Sequence, residues 1–450
     1  MRKILLLITF ISGSSLVTFA KNEAANSPLA SYHPTPAPVT ATLLLKKGDR
    51  LAICGDSITE QKIYSRIIED YLTACMPQLK VSVRQFGWGG ERADGFLKRM
   101  TNDCLRFEPT IATTCYGMND HEYRPYEQRI GDTYEKYSRA VVEAFKSHGV
   151  RVVQGSSGCV GERTWWQAGA TSDALNHNLC ELRNIGITVA QDEKVAFADV
   201  FWPMLQATYL SEQKYGPNYK LSGGDGVHPN WAGHTVMAYA FLKALGIDGQ
   251  IASFKVNLNK GTMTVSDGHA LLKARDGEFT IRSERYPFCS GAPMGLAANW
   301  YPTTGTENIT NSDNIRSGMT LVPFNDELNR FMLTVDDANE PKYRVAWGIH
   351  SAVFTGEQLR HGINLAAEFP ANPFSTKFAL IDAAVDDKQE FETRQVKNLF
   401  RPSKADATMA EITAQTDRVV KDTEKEHAAL EAVVRAAYAP VTYTLKISAE

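Results

Sequence analysis

The sequence lacks any long apolar run and any excess of charge of one sign. Its 48 Lys and Arg residues nearly balance its 51 Asp and Glu residues, which gives a formal net charge of -3 and a pI near 6.4. This balance argues against a nucleic acid or an anionic membrane surface as the partner. No apolar segment reaches the roughly 20 residues that a membrane-spanning helix needs. We therefore expect no integral membrane segment, and a small molecule or a neutral polymer as the ligand.

Cysteine is scarce, and its spacing does not suit a metal site. None of the seven cysteines belongs to a C-x-x-C pair, so a thiolate zinc site has little support, and we expect neither a metal nor an organic cofactor. An odd number leaves at least one thiol unpaired in an oxidising compartment. Cys159 with Cys180, or Cys75 with Cys104, are candidate disulfides, and the sequence does not establish either.

The first 20 residues, MRKILLLITFISGSSLVTFA, have the layout of a secretory signal peptide. Two basic residues precede a short apolar segment, which is followed by small residues that end at Ala20. We expect residues 1–20 to be removed and the protein to be exported to the periplasm or the extracellular space. Residues 21–45 are rich in Ala, Ser, Thr and Pro, which predicts a flexible leader.

Residues 46–249 alternate short apolar runs with longer amphipathic segments. RLAICG, TIATTCYG and VRVVQGS are examples of the apolar runs, and each is followed by a segment with helical spacing. Strands that alternate with helices predict an α/β domain with a parallel sheet covered on both faces. Ligands of such sheets bind beyond the carboxyl ends of the strands, so the residues that follow each run are the first candidates for a site.

The pattern changes near Gly249. Segments such as FTIRS, FMLTVDD and YRVAWGI alternate apolar and polar residues, as half-buried antiparallel strands do. Residues 250–450 therefore predict a second, β-rich domain. Within it, residues at about 373–438 have two helical stripes, which predict an inserted helical hairpin. The final VTYTLKI predicts a strand that returns to the β-rich domain.

Ser57 lies in the segment CGDSITE, directly after the first predicted strand. Ser is favoured at a helix N-cap, so a structural role is the simpler interpretation of this position alone. A hydroxyl at the carboxyl edge of the sheet, on a helix N-terminus that favours developing negative charge, is also well placed to be a nucleophile. The choice depends on whether the chain supplies a base.

Asp225 and His228 supply such a base. They lie three positions apart in the Gly-rich segment GGDGVHPN, just before the last predicted helix of the α/β domain. At that spacing the carboxylate can accept a hydrogen bond from one ring nitrogen and leave the other nitrogen facing Ser57. A lone His in a loop is more often structural. A D-x-x-H segment after the last strand of a sheet whose first strand ends in G-D-S favours a catalytic triad.

Two further segments offer hydrogen-bond donors for the oxyanion of a tetrahedral intermediate. GWGGER follows the second predicted strand and places the backbone N–H of Gly90 at the edge of the sheet. YGMNDHE follows the third predicted strand and places the side-chain amide of Asn119 there. A turn or a helix start is the simpler interpretation of either segment alone. Four such segments at one edge of one sheet predict a catalytic site.

The four segments together resemble the sequence blocks of the SGNH hydrolases, also called GDSL esterases and lipases. The blocks are GDSI around Ser57, GWGGER around Gly90, GMND around Asn119, and DGVHPN around Asp225 and His228. The resemblance implies ester hydrolysis with Ser57 as the nucleophile, His228 as the base and Asp225 as the residue that orients the base. It also implies an oxyanion hole formed by the backbone N–H groups of Ser57 and Gly90 and by the side chain of Asn119.

The resemblance covers roughly residues 46–247 and implies a flavodoxin-like three-layer α/β/α fold that needs no cofactor. Gly90 is preferred as the oxyanion donor because its spacing from Gly87 then matches the Gly-x-x-Gly turn of the family, and Gly89 remains a rival. GDSI stands where the family name has GDSL, an exchange of aliphatic residues that should leave the chemistry unchanged.

Trp88, Asp120 and His121 flank the predicted oxyanion donors and are candidate substrate contacts, as are Trp165 and Trp166 in another loop. Core packing or loop hydrogen bonds explain them equally well. The expected function is an exported serine esterase for a small-molecule or polysaccharide ester, with short acyl groups such as acetyl on carbohydrate favoured. A lipase or general carboxylesterase is the nearest alternative, and a catalytically silent binding protein is another. The oligomeric state is not predicted.

Overall fold

The computed structural model of the protein describes residues 28–162, 170–289, 308–400 and 408–450. Between Pro34 and Glu450 these residues belong to one structural unit. The predicted signal peptide, and the candidate substrate contacts Trp165 and Trp166, lie outside the described residues.

The first part of the chain folds into a five-stranded parallel sheet. Its strands are β1 (Arg50–Gly55), β2 (Ser82–Gly87), β3 (Ile111–Cys115), β4 (Arg151–Gly155) and β5 (Ala196–Ala198). They lie in the order β2-β1-β3-β4-β5, and neighbouring strands pair in parallel. This is the strand order of a flavodoxin-like sheet, which confirms the predicted α/β fold. All five residues of β3 are buried, as expected for a strand covered on both faces.

In the part of the chain that the structure describes, seven α-helices alternate with these strands. They are α1 (Ser57–Glu60), α2 (Tyr64–Ala74), α3 (Ala93–Asp103), α4 (Gln128–Ser147), α5 (Ser172–Glu193), α6 (Phe201–Tyr215) and α7 (Trp231–Ala244). Helix α4 contacts α3 and α5, and α7 contacts α2 and α6. Apolar residues at helical spacing explain this packing. In α4, Tyr134, Val141 and Phe145 are buried on one stripe, and Phe145 packs against Phe96 of α3.

From Gln250 onward the chain forms two further sheets. Their strands are β6 (Gln250–Asn257), β7 (Thr262–Val265), β8 (His269–Arg275), β9 (Glu278–Ser283), β10 (Arg330–Val335), β11 (Lys342–Trp347), β12 (His350–Thr355), β13 (Ile363–Asn364) and β14 (Val441–Ala449). One sheet has the order β13-β10-β6-β7, and the other has the order β12-β11-β14-β9-β8. The predicted β-rich region is thereby confirmed.

Strands β6 and β10 depart from the antiparallel pattern of this region, because they pair in parallel. The other strand pairs in the described part of this region are antiparallel. Strands β7, β8 and β9 intervene along the chain, so no tight turn restricts the direction of β10 relative to β6. Alternating residues indicate that one face of a strand is buried, and they carry no information about the direction of its partner.

Aromatic rings fill the space between these two sheets. Trp347 in β11 is buried among other aromatic rings. The distance from its ring centroid is 5.3 Å to that of Phe331 in β10, and 5.9 Å to those of Phe374 and of Tyr443 in β14. Such distances are typical of stabilising aromatic pairs. The described connections contain four short helices, namely α8 (Ile315–Met319), α9 (Phe324–Glu327), α10 (Gly356–His361) and α11 (Leu365–Glu368).

Two long helices confirm the predicted hairpin. They are α12 (Ser375–Arg394), which continues into a π-helical turn (Gln395–Leu399), and α13 (Met409–Ala437). Helix α12 packs against α13 and also against α2 and β2 of the α/β region. Strand β14 then returns between β11 and β9. Among the helices in the described ranges, none combines the length and the apolar character that crossing a membrane requires.

Buried charges join α12 to α2. The side chain of Arg66 is 1% exposed and donates to both carboxylate oxygens of Asp382, at 2.5 and 2.6 Å, while its third nitrogen lies 2.7 Å from Asp386. The fully buried Lys388 lies 3.0 Å from Glu69 of α2. A charge that has left water is tolerated only while its partner is present. These pairs therefore couple the position of α12 to that of α2.

The seven cysteines are all buried, and the structure has no disulfide among its described residues. The candidate pairs Cys159 with Cys180 and Cys75 with Cys104 are therefore not formed. The sulfur of Cys159 lies 3.6 Å from the hydroxyl of Thr208. The thiols behave as small apolar groups within the packing.

Replacing Arg66 with Met should strongly destabilise the protein, because Asp382 and Asp386 lose a buried partner. We expect the free energy of unfolding to fall by about 3–5 kcal/mol in urea titrations. The control is Arg394→Met, which removes an ion pair with Glu426 whose side chains are 54% and 56% exposed. The Arg394→Met replacement should lower the free energy of unfolding by less than about 1 kcal/mol. Equal losses in the two variants would contradict this account of the interface.

Candidate active site

Ser57 stands at the junction of β1 and α1, at the carboxyl edge of the parallel sheet. The helix is capped by Asp56, whose Oδ1 accepts a hydrogen bond from the N–H of Ile58 at 2.9 Å. Gly87 allows α1 to pack directly on the end of β2, because a Cβ there would lie 2.2 Å from the backbone nitrogen of Glu60. Since Asp56 supplies the cap, the Ser57 hydroxyl is available for another role.

His228 and Asp225 lie beside Ser57, although 171 positions separate Ser57 from His228. Nδ1 of His228 is 2.6 Å from Oδ2 of Asp225, and Nε2 is 2.8 Å from Oγ of Ser57. A carboxylate only accepts hydrogen bonds, so Nδ1 carries the ring proton and donates to Asp225. The hydroxyl of Ser57 then donates to Nε2. The three predicted residues form one hydrogen-bonded chain.

The backbone of the same loop holds the carboxylate of Asp225 in place. Its Oδ1 accepts hydrogen bonds from the N–H groups of Val227 and His228, both at 2.8 Å. Burial by itself raises the pKa of Asp225, but these bonds and the bond from the His228 ring outweigh it and lower the pKa below the usual value. Asp225 is therefore ionised at neutral pH and can orient the imidazole.

The segment before α8 supports this loop from the β-rich region. Nδ2 of Asn230 donates to Oγ of Ser312 at 2.8 Å, and the N–H of Ala232 donates to the carbonyl of Ser312 at 2.9 Å. On the inner side, the fully buried His234 contacts Oε1 of Gln61 through Nε2 at 3.1 Å. His234 thus packs inside the protein and links α7 to the end of α1.

The loop after β2 contains the two candidate backbone donors, and the geometry favours Gly90. The N–H of Gly89 donates to the carboxylate of Glu60. Gly90 is exposed, has a φ of +73°, and its N–H makes no hydrogen bond to any residue that the structure describes. A positive φ is a conformation that glycine adopts readily. Of the two, Gly90 is therefore the residue whose N–H is not used by the part of the protein that the structure describes.

Hydrogen bonds fix the orientation of the Asn119 amide. Nδ2 donates to the carbonyl of Glu91 at 3.1 Å, and Oδ1 accepts from the hydroxyl of Tyr123 at 3.3 Å. A carbonyl oxygen only accepts, so the amide atom that contacts Glu91 is the nitrogen. Nδ2 is also 3.5 Å from Oδ2 of Asp56, the residue before Ser57. That distance is too long for a strong bond, so the second amide hydrogen can serve an oxyanion.

Tyr123 is a residue that the sequence does not single out. Tyr123 and the preceding Glu122 have positive φ angles of 54° and 55°, which cost residues with a Cβ on the order of 1 kcal/mol each. Two nitrogens of Arg129 donate to the two carboxylate oxygens of Glu122, at 3.1 and 2.9 Å, and stabilise this turn. The turn brings Tyr123 to Asn119. Because it contains no Gly or Asn, the usual sequence signals of a left-handed conformation are missing.

Asp120, His121 and Trp88 are all engaged within the protein. Asp120 accepts one backbone hydrogen bond from Gly117 of its own loop, at 3.0 Å, and one from Ala93, at 3.2 Å, which joins the loop after β3 to the start of α3. His121 is fully buried, and burial lowers its pKa to about 4. The ring of Trp88 lies 5.1 Å from the guanidinium of Arg99. These positions favour support of the loops, and a contact with substrate stays a prediction.

Residues 53–236 match the family described as GDSL-like Lipase/Acylhydrolase. The matched segment includes every residue of the candidate site, namely Ser57, Gly90, Asn119, Asp225 and His228. The resemblance inferred from the four sequence blocks is thereby confirmed. No curated protein matches the chain.

The fold also occurs in a solved structure, and two other solved structures align with a part of the chain. A gut microbial diltiazem-metabolizing enzyme aligns with a TM-score of 0.71 and 23% identity over 91% of this chain and 100% of that chain. An alpha/beta hydrolase from the metagenome of Lake Arreo in Spain has a TM-score of 0.39 and 23% identity, over 45% of this chain and 98% of that chain. An acetylxylan esterase variant from Geobacillus stearothermophilus has a TM-score of 0.38 and 18% identity, over 46% of this chain and 97% of that chain. The first alignment shows that the combination of α/β and β-rich regions exists in another protein.

Replacing Asp56 with Asn should change how stability depends on pH. Burial raises the pKa of Asp56 to about 7, whereas an Asp in an unfolded chain has a pKa of about 3.9. The folded wild type therefore binds an additional proton between these values and loses stability as the pH rises from about 4 to about 7. The Asn side chain keeps an oxygen that can cap α1, and it does not ionise.

Urea unfolding at several pH values measures this effect. The free energy of unfolding of Asp56→Asn, relative to wild type, should increase from about pH 4 to about pH 7. Asp276→Asn is the control, because Asp276 is 86% exposed and its replacement should preserve the wild-type pH dependence. A stability difference between Asp56→Asn and wild type that stays constant over this range would show that Asp56 ionises normally.

Proposed function

We propose that this protein, whose residues 53–236 belong to the GDSL-like lipase/acylhydrolase family, is a serine esterase with Ser57 as its nucleophile. Family membership makes the protein a hydrolase that acts on ester bonds. The proposal assigns His228 as the general base and Asp225 as the residue that orients it. One observation carries the assignment: hydrogen bonds of 2.8 and 2.6 Å join Ser57 to His228 and His228 to Asp225.

The first half of the reaction transfers the acyl group to the enzyme. Oγ of Ser57 attacks the carbonyl carbon of the ester while Nε2 of His228 takes the hydroxyl proton. The electron pair of the carbonyl bond moves to its oxygen. The imidazolium then gives its proton to the alcohol oxygen as the bond between acyl carbon and alcohol oxygen breaks. Asp225 remains ionised and stabilises the imidazolium.

The second half returns the enzyme to its initial state. His228 takes a proton from water, and the resulting nucleophile attacks the acyl group on Ser57. When the tetrahedral intermediate collapses, the bond to Oγ breaks and the proton on Nε2 returns to Ser57. The acid product leaves. The two half-reactions use the same base and the same oxyanion site.

The proposed oxyanion site consists of the backbone N–H groups of Ser57 and Gly90 and the side-chain amide of Asn119. Support comes from the hydrogen bond that occupies the Gly89 N–H and from the two bonds that orient the Asn119 amide. Donors that are held in place before the reaction need no reorganisation when the negative charge develops.

For the substrate we favour esters with short acyl groups, such as acetyl on carbohydrate. The predicted export supports this preference, because it would place the enzyme among extracellular or periplasmic polysaccharides. Other small-molecule esters are the second candidate, because the solved enzyme that shares the fold over 91% of this chain is described as metabolizing diltiazem. Two further candidates are a lipase or general carboxylesterase, and a binding protein that has the hydrolase fold without its activity.

A fluorophosphonate probe tests whether Ser57 is the nucleophile. The probe should label the wild type and not Ser57→Ala, because it reacts with an activated serine hydroxyl. Ser147→Ala is the control, since this exposed hydroxyl at the end of α4 lies far along the chain from the predicted triad and contacts a backbone carbonyl of its own helix, at 2.8 Å, and the ring of the neighbouring His148, at 3.2 Å. It should be labelled like wild type. A wild type that is neither labelled nor active on any ester would favour the binding protein.

The preferred acyl chain length can be measured by comparing the rates of hydrolysis of p-nitrophenyl acetate and p-nitrophenyl octanoate. Faster turnover of the acetate would agree with the proposal, and faster turnover of the octanoate would favour a lipase or a general carboxylesterase. Acetate release from acetylated polysaccharides, compared with turnover of diltiazem, then distinguishes the two favoured substrate classes.

Replacing Asn119 with Ala should lower kcat by about a hundredfold or more, because one oxyanion donor is lost. KM should change little, since the interaction forms in the transition state. Tyr123→Phe removes only the bond that orients the amide and should have a smaller effect in the same direction. Tyr126→Phe, a few residues further on, is the matched control. An Asn119→Ala variant with the kcat of wild type would remove Asn119 from the site.

A further inference from the structure

Lys397 links the C-terminal hairpin to the helix that begins with Ser57. It lies in the π-helical turn that follows α12, and its Nζ is 2.5 Å from Oε1 of Glu60. Glu60 is the last residue of α1, three positions after Ser57. The side chains of Lys397 and Glu60 are 28% and 23% exposed, so water competes only partly for this pair. Turns of π-helix are rare and frequently occur at functional sites.

The second oxygen of the Glu60 carboxylate continues the link to the loop after β2. Oε2 accepts the hydrogen bond from the N–H of Gly89. A Cβ built on Gly89 would lie 3.0 Å from this oxygen and 4.0 Å from Cβ of Ser57, so Gly89 lies close to both. The next residue, Gly90, carries the N–H group that is proposed to bind the oxyanion.

The hairpin contacts the same part of the α/β region at a second point. Nζ of Lys62 lies 3.3 Å from Glu390 of α12 and donates to the carbonyl of Glu60 at 2.8 Å. Nζ of Lys397 also lies 5.2 Å from the ring of Trp88, the residue before Gly89. Two lysines therefore connect the hairpin with the segment that follows Ser57 and with the loop after β2.

We propose that Lys397 is a positioning residue for the oxyanion site, and this inference rests on the proposed function. Lys397 holds the carboxylate of Glu60, and Glu60 holds the loop of Gly89 and Gly90 against Ser57. Two adjacent glycines have no side chains that could anchor the loop themselves. A donor acts on the transition state only when it is held within roughly 0.5 Å of its working position. The hairpin would thus contribute to catalysis without contacting the substrate.

Lys397→Met tests the proposal, because it removes the charge and keeps much of the side-chain volume. We expect kcat to fall about tenfold, less than the loss of a whole donor, while KM stays within about twofold of wild type. A boronic acid that forms a tetrahedral adduct with Ser57 should bind more weakly by the same factor as kcat. Lys397→Arg should restore most of the activity, since a guanidinium can hold the same carboxylate.

Arg394→Met is the matched control. Arg394 lies on the same hairpin, and its replacement removes the same charge from an exposed pair with Glu426, so kcat should stay at the wild-type value. Glu60→Gln should resemble Lys397→Met. If Lys397 acts through Glu60, Lys397→Met should have little further effect in the Glu60→Gln background. Titration with the fluorophosphonate probe gives the fraction of folded, reactive enzyme, to which every kcat is normalised.

Three outcomes separate this inference from the function on which it rests. If the wild type is neither labelled nor active, the proposed function fails and the role of Lys397 fails with it. If the wild type is active and Lys397→Met has the same kcat and the same affinity for the boronic acid, only the role of Lys397 is overturned. A parallel loss of kcat and boronic acid affinity, with restoration by Lys397→Arg, would support it.

Discussion

The hydrogen bond between the Ser57 hydroxyl and the His228 imidazole is the interaction on which the rest of the site depends. Its two residues are 171 positions apart, and a sheet whose strands all end at one edge brings them together. In the order β2-β1-β3-β4-β5, strand β1 leads to Ser57, while its two neighbours, β2 and β3, lead to the loops of Gly90 and Asn119. The candidate donors therefore surround the serine because of the strand order.

Burial and hydrogen bonding oppose each other at the carboxylates of this edge, and the balance differs among them. Bonds from the backbone and from His228 outweigh burial at Asp225, and its pKa is lowered. Burial prevails at Asp56 and Asp120 and raises their pKa values to about 7 and about 6. A full negative charge on either would oppose a developing oxyanion. The site thus combines one firmly ionised carboxylate beside the imidazole with neighbours that ionise less readily.

The C-terminal region is attached to the α/β region by buried charges. Desolvation offsets much of the attraction within pairs such as Arg66 with Asp382, but the loss of one partner leaves a charge that no water can reach. Such pairs favour one arrangement of α12 on α2, and that arrangement places Lys397 beside Glu60. The alignment over 91% of the chain with a solved structure shows that an α/β region and a β-rich region occur together in another protein.

The sequence by itself determined the α/β fold, the β-rich region and the hairpin. It also determined which segments carry the candidate site residues. Burial on both faces requires apolar strands, and the polar segments that follow those strands must then lie at one edge. Only the tertiary structure decided that β10 runs parallel to β6. It also decided that the Gly89 N–H donates a hydrogen bond to Glu60, and that Glu60 pairs with Lys397, which lies 337 positions further along the chain. Residue periodicity reports whether a position is buried. Which distant group it meets depends on how separate elements pack, and no local pattern encodes that.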